Sequence, residues 1–305
     1  MAQETPNHTQ TVAGWAAYDS SGKIDPFIFK RRENGVNDVT IEILYCGICH
    51  TDLHFATNDW GITMYPCVPG HEITGVVVKV GSNVRKFSVG DRVGIGYLAA
   101  SCLNITYGGY SKMIVADHRY VVRIPDSLPM DSAAPLLCAG ITVFTPFKDN
   151  QLLNSPRKKI GIVGLGGLGH VAVKFGKAFG HHVTAKQRLG ADEFIISTSA
   201  DQMKHSLGPV LELLKVNGIL TIVGAPDAPL DLPALPLILG KRTVKGSTTG
   251  GILETQEMMD LCGKHNITSD IETVTPDQIN HAMDRLARND VRYRFVIDIA
   301  GKTSN

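Results

Sequence analysis

The 305-residue sequence lacks several features that would place it in common classes of protein. Its 30 basic and 29 acidic residues nearly cancel to a net charge of +1, and it has no basic run. We therefore expect no nucleic acid and no anionic membrane among its partners, which leaves a small molecule. It also has no apolar run long enough to cross a bilayer.

The N-terminal segment MAQETPNHTQ has neither the charged n-region nor the apolar h-region of a secretory signal, so we expect a cytoplasmic protein. Cysteine is too scarce for a disulfide framework in a chain of this length. The six cysteines are instead expected to be thiols or metal ligands. They are Cys46, Cys49, Cys67, Cys102, Cys138 and Cys262.

Residues 158–180, KKIGIVGLGGLGHVAVKFGKAFG, carry a pattern typical of dinucleotide binding. A short apolar run ends at Val163, the glycines Gly164, Gly166 and Gly169 follow, and apolar residues then recur at helical spacing from Leu168. The first glycine permits a tight turn, the second lets the backbone approach a pyrophosphate, and the third lets helix and strand pack closely. The helix N-terminus would present unpaired N–H groups to the phosphates. The alternative is a glycine turn with a structural role only.

The regions on either side of this motif predict two domains. From Ala13 to about Pro135, short β-rich runs alternate with Gly, Pro, Asn and Asp, which indicates a small barrel-like β-domain. From Ala139 to Asp270, strands and helices alternate, which indicates a parallel sheet. Thr275 is a candidate N-cap for a helix over 276–288, and a strand is predicted over 293–299. We therefore predict an α/β protein with a β-domain of residues 1–138 and 271–305 and a nucleotide-binding domain of residues 139–270.

Three separate segments carry residues of the types that bind zinc. Cys46 and Cys49 follow a predicted strand, His71 lies in a turn, and Cys138 comes much later. Two thiolates and one imidazole would leave a fourth zinc position open, which is typical of a catalytic site. Cys46 and Cys49 also form a CxxC, so a structural zinc or a redox pair is the alternative. A structural site would need a second CxxC or CxxH, which is absent, and we expect Cys46 to be a buried thiol.

The motifs CGICHTDLH, GHE, PLLCAG, GLGGLGHVAVKF and DVRYRFVID, in this order, resemble the zinc-dependent medium-chain alcohol dehydrogenases. Within that group the chain is most similar to the plant cinnamyl alcohol dehydrogenase family, over essentially its whole length. The resemblance implies a GroES-like β-barrel catalytic domain, a Rossmann domain with a doubly wound parallel sheet, and a homodimer. It also implies Zn²⁺, NADP(H), and hydride transfer to or from a primary allylic or aromatic alcohol or aldehyde.

The resemblance further assigns residues by motif. The implied catalytic zinc ligands are Cys49, His71 and Cys138, with Glu72 beside the metal. Cys102 matches the first of four cysteines that hold a structural zinc in the family. Asp52 matches the carboxylate that fixes the ligand geometry, and Thr51 and His54 match the proton relay. The implied cofactor-binding residues are Gly164, Gly166, Gly167, Leu168, Gly169, His50, Thr142, Val223, Gly224 and Arg292. The implied substrate-lining residues are Trp60, Ile62, Tyr97, Thr248 and Thr249.

The residue types leave the substrate open among phenylpropenyl aldehydes, allylic monoterpenoids and alkaloid iminium or enal groups. Trp60 and Tyr97 could equally be core aromatics. One alternative function is an NADPH-dependent reductase of an iminium or a conjugated enal, with little role for zinc. Another is an NADPH-binding protein without turnover. A complete relay and three complete metal ligands favour the alcohol dehydrogenase.

The sequence is discontinuous at three junctions, after Cys102, Ala185 and Lys204. After Cys102 the β-domain changes abruptly, and after Lys204 a helical pattern begins without the preceding strand. At Ala185 the strand HHVTA runs into KQRLGADEF without the helix that a βαβ unit needs. We hypothesise that segments are missing from the sequence at these junctions. The structural zinc and the preference for NADP therefore rest on the resemblance alone.

Overall fold

The structure is a computed structural model that describes residues 8–97, 107–184, 191–196, 206–224 and 229–301. The chain divides into two compact units, one of residues 1–138 and 251–305 and the other of residues 139–250. The junctions after Cys102, Ala185 and Lys204 lie outside the described residues.

A seven-stranded sheet forms the framework of the first unit. Its strands, in spatial order, are β13 (Ile271–Val274), β14 (Arg294–Asp298), β3 (Asp38–Ile48), β4 (Ile73–Val80), β5 (Arg92–Ile95) and β7 (Val122–Arg123), with β6 (Met113–Asp117) also paired to β3. A separate antiparallel pair consists of β1 (His8–Ala17) and β2 (Ile24–Arg32). Because β3 pairs with β14, β4 and β6, it is buried along nearly its whole length, and Glu42 is its one exposed residue.

The helices of the first unit are α1 (His50–Thr57), α2 (Met130–Ala133), α7 (Ile252–His265) and α8 (Ile279–Ala287). In α8 the buried residues recur at i, i+3, i+4 and i+7, as expected of a helix with one face on a core. They are Ile279, Ala282, Met283 and Leu286. The predicted N-cap is confirmed, since the Thr275 amide donates to Oε1 of Gln278 at 3.1 Å in a capping box. The predicted final strand is also confirmed as β14, which pairs with β3.

The second unit ends at Gly250, earlier than the predicted boundary at Asp270. Helix α7 lies in between and contacts the first unit. The amide of Arg123 in β7 donates to the Gln256 side chain at 2.8 Å, and the Gln256 amide group donates back to the Arg123 carbonyl. Ser127 also donates to the carbonyl of Gly263 at 3.1 Å. These bonds hold α7 against β7, which explains why it clusters with the first unit.

The second unit contains a five-stranded sheet in which every pair is parallel. Its order is β12 (Thr243–Gly246), β11 (Leu214–Ile222), β10 (Ala191–Ile196), β8 (Lys159–Val163) and β9 (His182–Thr184). Its helices are α3 (Ala139–Asp149), α4 (Gly169–Ala178), α5 (Gly208–Leu213) and α6 (Ala234–Gly240). Strands β9 and β10 lie on opposite sides of β8, so the strand order reverses at β8. Open parallel sheets bind ligands at the carboxyl ends of strands beside such a reversal.

The predicted strand, turn and helix of the glycine motif are confirmed as β8, a turn and α4. Gly164 has a φ of 92°, a conformation that favours glycine, so it makes the turn possible. A Cβ on Gly166 would meet no atom within 4 Å, which leaves open space at this point of the backbone. Close packing of α4 on the sheet depends on Gly176, where a Cβ would lie 2.4 Å from Val183.

Strands β9 and β10 are connected by residues 185–190. A connection between parallel strands ordinarily takes a dozen or more residues, usually with a helix. The six residues between β9 and β10 in the sequence are fewer than such a connection takes, which is the basis of the hypothesis of a missing segment after Ala185.

No single helix in the described parts of the chain is long and apolar enough to cross a membrane. One pair of helical segments, 130–137 and 139–149, meets that criterion by length and composition only, and it is bent by 57°.

The centre of the second sheet contains a buried carboxyl group. Glu193 in β10 is 2% exposed, and Oε1 accepts hydrogen bonds from Nδ2 of Asn150 and from the hydroxyl of Thr221. Burial raises the pKa of Glu193 to about 7, although these hydrogen bonds and the charge of Lys245 favour the ionised form. Glu193 is therefore protonated in the folded protein over a pH range in which it is ionised in the unfolded chain.

We predict that Glu193 makes the stability of the second unit depend on pH. Its pKa is higher in the folded state than the ordinary value of 4.5, so its contribution is fully present below pH 4.5 and is lost as the pH rises through 7. The loss corresponds to about 3 kcal/mol. The Glu193→Gln variant should therefore unfold at a higher temperature than the wild type above pH 7, and the gain should shrink towards pH 4.5. The exposed Glu212→Gln is the control, and parallel pH profiles of wild type and Glu193→Gln would contradict the prediction.

Candidate functional site

Four side chains of the first unit form one cluster of potential metal ligands. They are Cys49, His71, Glu72 and Cys138, and one ligand atom from each lies within 4.8 Å of the others. The structure thus brings together four of the five residues that the sequence assigned to metal binding. The fifth, Cys102, lies outside the described residues.

Strand pairing explains how distant segments reach this cluster. Cys49 follows β3, and Glu72 immediately precedes β4, which pairs with β3 so that Cys46 faces Ile73. The amide of Gly47 donates to the Glu72 carbonyl at 2.9 Å. This bond extends the pairing of β3 and β4 to Glu72, a member of the cluster. A 3₁₀ turn over residues 134–137 directly precedes Cys138, the fourth member of the cluster.

The Asp52 carboxylate connects two of these segments. Oδ2 accepts from the Cys49 amide at 2.8 Å, while Oδ1 accepts from the Gly70 amide at 2.9 Å and from Nδ1 of His71 at 3.1 Å. Because a carboxylate accepts, the proton of the neutral His71 ring lies on Nδ1, and the lone pair lies on Nε2. This is the form of histidine that ligates a metal through Nε2.

Two polar atoms of the cluster lack a hydrogen-bond partner among the described residues. Nε2 of His71 and Oε2 of Glu72 are both buried, and neither makes a hydrogen bond. Buried polar atoms ordinarily have partners, so such atoms at the centre of a cluster call for an unseen one. Two thiols, one imidazole and one carboxylate are the donor set that zinc prefers. The residues therefore fit a zinc ion.

Cys46, the other cysteine of the CxxC, does not belong to the cluster. Its thiol is fully buried and lies 3.6 Å from the carbonyl of Gly47. Burial raises its pKa well above the ordinary value for a thiol. The expectation of a buried core thiol is confirmed.

The thiols of the cluster differ in their tendency to ionise. The hydrogen bond from Cys138 lowers the pKa of Cys49 well below its ordinary value, and the same bond raises the pKa of Cys138. Burial disfavours the charged form of His71, yet Asp52 and Cys49 raise its pKa overall. Burial also raises the pKa of Glu72 to about 8, against the opposing attraction of Arg294.

Arg294 at the start of β14 supplies a buried positive charge to this cluster. It is 3% exposed, and Nη2 donates to Oε1 of Glu72, whose side chain is fully buried. The pairing of Ile48 with Phe295 places the start of β14 beside Cys49. Although burial disfavours its charge, Glu72 and the two cysteines keep the pKa of Arg294 above its ordinary value. One cation thus offsets the negative charge of the ligands.

The relay residues lie on α1, which begins directly after Cys49. Thr51 and His54 are three residues apart and therefore share one face of the helix. Nδ1 of His54 lies 2.7 Å from Oδ2 of Asp59, which leaves Nε2 free of that contact. The carboxylate of Asp59 is thus placed to orient the imidazole.

The residues assigned to substrate binding divide between the two units. In the first unit, Trp60 is 43% exposed with its ring centroid 5.1 Å from that of His54, and Ile62 is 50% exposed. Tyr97 meets His71 edge to face, with the ring centroids 5.4 Å apart. Thr248 and Thr249 follow β12 in the second unit.

The residues assigned to the cofactor also divide between the units. In the second unit, the glycine motif follows β8, and Val223 and Gly224 follow β11, so both lie at the carboxyl edge of the sheet. Thr142 is a buried residue of α3. In the first unit, His50 begins α1, and burial lowers its pKa. Arg292 is exposed and lies over the ring of Tyr293.

Sequence reasoning missed three residues of the site. Arg294 received no role, although a charged residue at the head of the apolar run RFVID is a local signal, because that signal does not reveal its partner Glu72. Asp59 follows the relay histidine by five positions, just beyond the end of α1 at Thr57. Tyr110, whose hydroxyl lies 3.4 Å from Oδ2 of Asp52, offers no local signal, because a distant segment brings it there.

Comparison with known proteins shows the family to which the chain belongs. A profile of the alcohol dehydrogenase GroES-like domain matches residues 35–126. The probable cinnamyl alcohol dehydrogenase 6 of Oryza sativa subsp. japonica is 60% identical over 353 residues, covering 97% of this chain and 98% of the relative. That alignment is longer than the 305 residues of this chain. The relative therefore contains residues that this chain lacks, in line with the hypothesis of missing segments.

Solved structures agree as well. A cinnamyl alcohol dehydrogenase from Sorghum bicolor shares 42% identity and a TM-score of 0.88, covering 97% of this chain and 99% of that one. The cinnamyl alcohol dehydrogenase of Helicobacter pylori, solved with NADP(H), shares 32% identity and a TM-score of 0.85, covering 95% and 99%. These matches confirm the predicted fold class, a GroES-like domain with a Rossmann-type parallel sheet. The chain belongs to the cinnamyl alcohol dehydrogenase family and is an oxidoreductase of the alcohol dehydrogenase type.

Proposed function

We propose that this protein is a zinc-dependent dehydrogenase that transfers a hydride between NADP(H) and a primary allylic or aromatic alcohol or aldehyde. The observation that carries the proposal is the buried cluster of Cys49, His71, Glu72 and Cys138, with Nε2 of His71 unpartnered among the described residues. Membership of the cinnamyl alcohol dehydrogenase family supports the substrate class, which is the one in the names of the Oryza sativa and Sorghum bicolor relatives.

Cys49, His71 and Cys138 would hold the zinc, and Glu72 is placed to serve as a further ligand. When bound, zinc supplies a Lewis acid that polarises the oxygen of the substrate and lowers the pKa of an alcohol. Asp52 keeps His71 in the tautomer that presents Nε2. Arg294 donates to Oε1 of Glu72, and Oε2 is buried without a hydrogen-bond partner among the described residues.

Thr51 and His54 would carry the substrate proton away from the site. Histidine suits this role because its ordinary pKa lies near neutral pH. The contact with Asp59 fixes Nδ1 of His54, so Nε2 is the nitrogen that accepts the proton. His54 is partly exposed at the surface of the first unit, which allows the proton to pass to water.

The glycine motif of the second unit would bind the pyrophosphate of the cofactor. NADP(H) supplies or accepts the hydride. The positive φ of Gly164, the open space at Gly166 and the position of the motif at the reversal of strand order all support a dinucleotide site. The solved Helicobacter pylori relative is a complex with NADP(H), which supports NADP over NAD.

Two exposed apolar side chains support a flat apolar substrate. Trp60 and Ile62 are exposed on the segment that follows α1, and the Trp60 ring lies against His54. An apolar side chain this close to the relay favours an allylic or aromatic alcohol over a small polar one.

We also propose a cytoplasmic homodimer. Among the strands that the structure describes, β12 is an edge of the second sheet, and such an edge is available to a second copy of the chain. On α6 of the same unit, Leu235, Ile238 and Leu239 are 65%, 69% and 74% exposed, more apolar surface than a monomer ordinarily leaves on one short helix. None of the described cysteines forms a disulfide, which suits a reducing compartment.

The first test of the proposal is the His71→Ala variant. We expect it to lose zinc by metal analysis and at least about a hundredfold in turnover, because two thiolates alone do not hold the ion in a catalytic geometry. Activity is measured as NADPH oxidation with cinnamaldehyde, an allylic monoterpenoid aldehyde and an alkaloid iminium. The exposed His281→Ala is the control. Full zinc content in His71→Ala, or turnover of the iminium alone by a zinc-free enzyme, would contradict the proposal.

A second test concerns the cofactor. The Gly166→Val variant should bind NADPH about tenfold more weakly or worse, because the added side chain fills the space that the pyrophosphate needs. Zinc content should remain that of the wild type. The matched control is Gly246→Val in β12, where an added Cβ also meets no atom within 4 Å. Equal NADPH affinity of Gly166→Val and wild type in a fluorescence titration would show that the motif is only a turn.

A third test concerns the relay. The Asp59→Asn variant should lower kcat about tenfold, because the imidazole of His54 loses the carboxylate that orients it. Zinc content and NADPH affinity should not change. Asp25→Asn, which removes an exposed carboxylate paired with Lys23, is the control. An unchanged kcat in Asp59→Asn would show that Asp59 has no role in proton transfer.

A further inference from the structure

Tyr110 is a fully buried side chain that the mechanism above does not use. It belongs to the segment 107–111, which pairs with the residues just before the ligand His71. The amide of Tyr110 donates to the Pro69 carbonyl at 3.0 Å, and that of Gly109 donates to the Gly70 carbonyl at 2.7 Å. The segment 107–111 is therefore bonded directly to the turn that delivers His71.

A buried cation fixes this segment from its other side. Nη2 of Arg31 donates to the carbonyls of Tyr107 and Gly108 at 2.9 and 3.1 Å and to the hydroxyl of Ser111 at 3.0 Å. The two N–H groups of this nitrogen are shared among three acceptors of the segment, which restricts its position. The ring of Tyr110 is consequently held in place by its own backbone.

The ring of Tyr110 packs tightly on Gly70. A Cβ on Gly70 would lie 2.6 Å from Cδ1 of Tyr110, and the φ of Gly70 is +103°. Only glycine fits between this ring and the turn. The ring therefore limits the movement of Gly70, the residue that precedes His71.

The hydroxyl of Tyr110 reaches the same carboxylate that orients His71. It lies 3.4 Å from Oδ2 of Asp52, the longest of four contacts to that group, after those from the amides of Cys49 and Gly70 and from Nδ1 of His71. Burial raises the pKa of Tyr110 well above its ordinary value, so the hydroxyl is a donor at every working pH. Asp52 thus has two donors on each oxygen.

We propose that Tyr110 is a positioning residue for the metal ligand His71, acting through the Asp52 carboxylate and the Gly70 turn. This rests on the proposed zinc site. With its fourth donor in place, the carboxylate cannot turn about its own axis without losing a bond. The imidazole of His71 therefore keeps the orientation that presents Nε2 to the metal. Without the hydroxyl, Oδ2 retains only the Cys49 amide, and the carboxylate gains freedom to tilt.

The experiment measures how fast zinc leaves the protein. Zinc-loaded wild type, Tyr110→Phe, Asp52→Asn and the double variant are mixed with an excess of a chelating indicator at neutral pH. Tyr110→Phe should release zinc roughly fivefold faster than the wild type, the effect of losing one long hydrogen bond of ordinary strength. Asp52→Asn should release it faster still. The double variant should match Asp52→Asn alone, because Tyr110 acts through Asp52.

Two controls separate this positioning role from a general effect on folding. Tyr107→Phe removes a phenol hydroxyl three residues away and should leave the rate unchanged. The visible spectrum of the cobalt-substituted protein should shift in Tyr110→Phe and not in Tyr107→Phe, since it reports the ligand geometry. A wild-type release rate in Tyr110→Phe, or additive effects in the double variant, would overturn the inference. Zinc content that Cys138→Ala leaves unchanged would instead overturn the proposed zinc site.

Discussion

The Asp52 carboxylate is the constraint on which the metal cluster depends. It accepts from the segment that carries Cys49 and from the turn that carries His71, so it couples two segments that are remote in sequence. Buried and 1% exposed, it is held by hydrogen bonds and has little freedom to reorganise. Asp52 thus fixes the positions of Cys49 and His71 relative to each other through hydrogen bonds within the protein.

Local sequence patterns predicted the elements that carry the site, for physical reasons that act at short range. The glycines of residues 164–169 need a turn, and Thr275 with Gln278 satisfies a helix end, so both appear in the structure as expected. Contacts that depend on how two distant strands pair could not be predicted from local sequence patterns. Arg294 reaches Glu72 because β14 pairs with β3. Nothing local to residue 294 encodes that pairing.

In the second unit, the local sequence pattern predicted the type of sheet but not the position of each strand within it. The alternation of strand and helix predicted a parallel sheet, and the sheet is parallel throughout. Yet the position of β10 beside β8, with Glu193 at the centre of the sheet, could not be inferred. An acidic residue argues against a central strand, because a buried carboxyl group is costly. The network with Asn150 and Thr221 supplies the hydrogen bonds that such a position needs.

The pairing of β14 with β3 has a consequence for how the metal site comes into being. The four potential ligands lie within the first 138 residues, but Arg294, which offsets their charge, is among the last residues of the chain. During synthesis the ligands emerge long before this cation, and the whole second unit is made in between. The ion pair of Arg294 with Glu72 can therefore form only after β14 has been synthesised and has paired with β3.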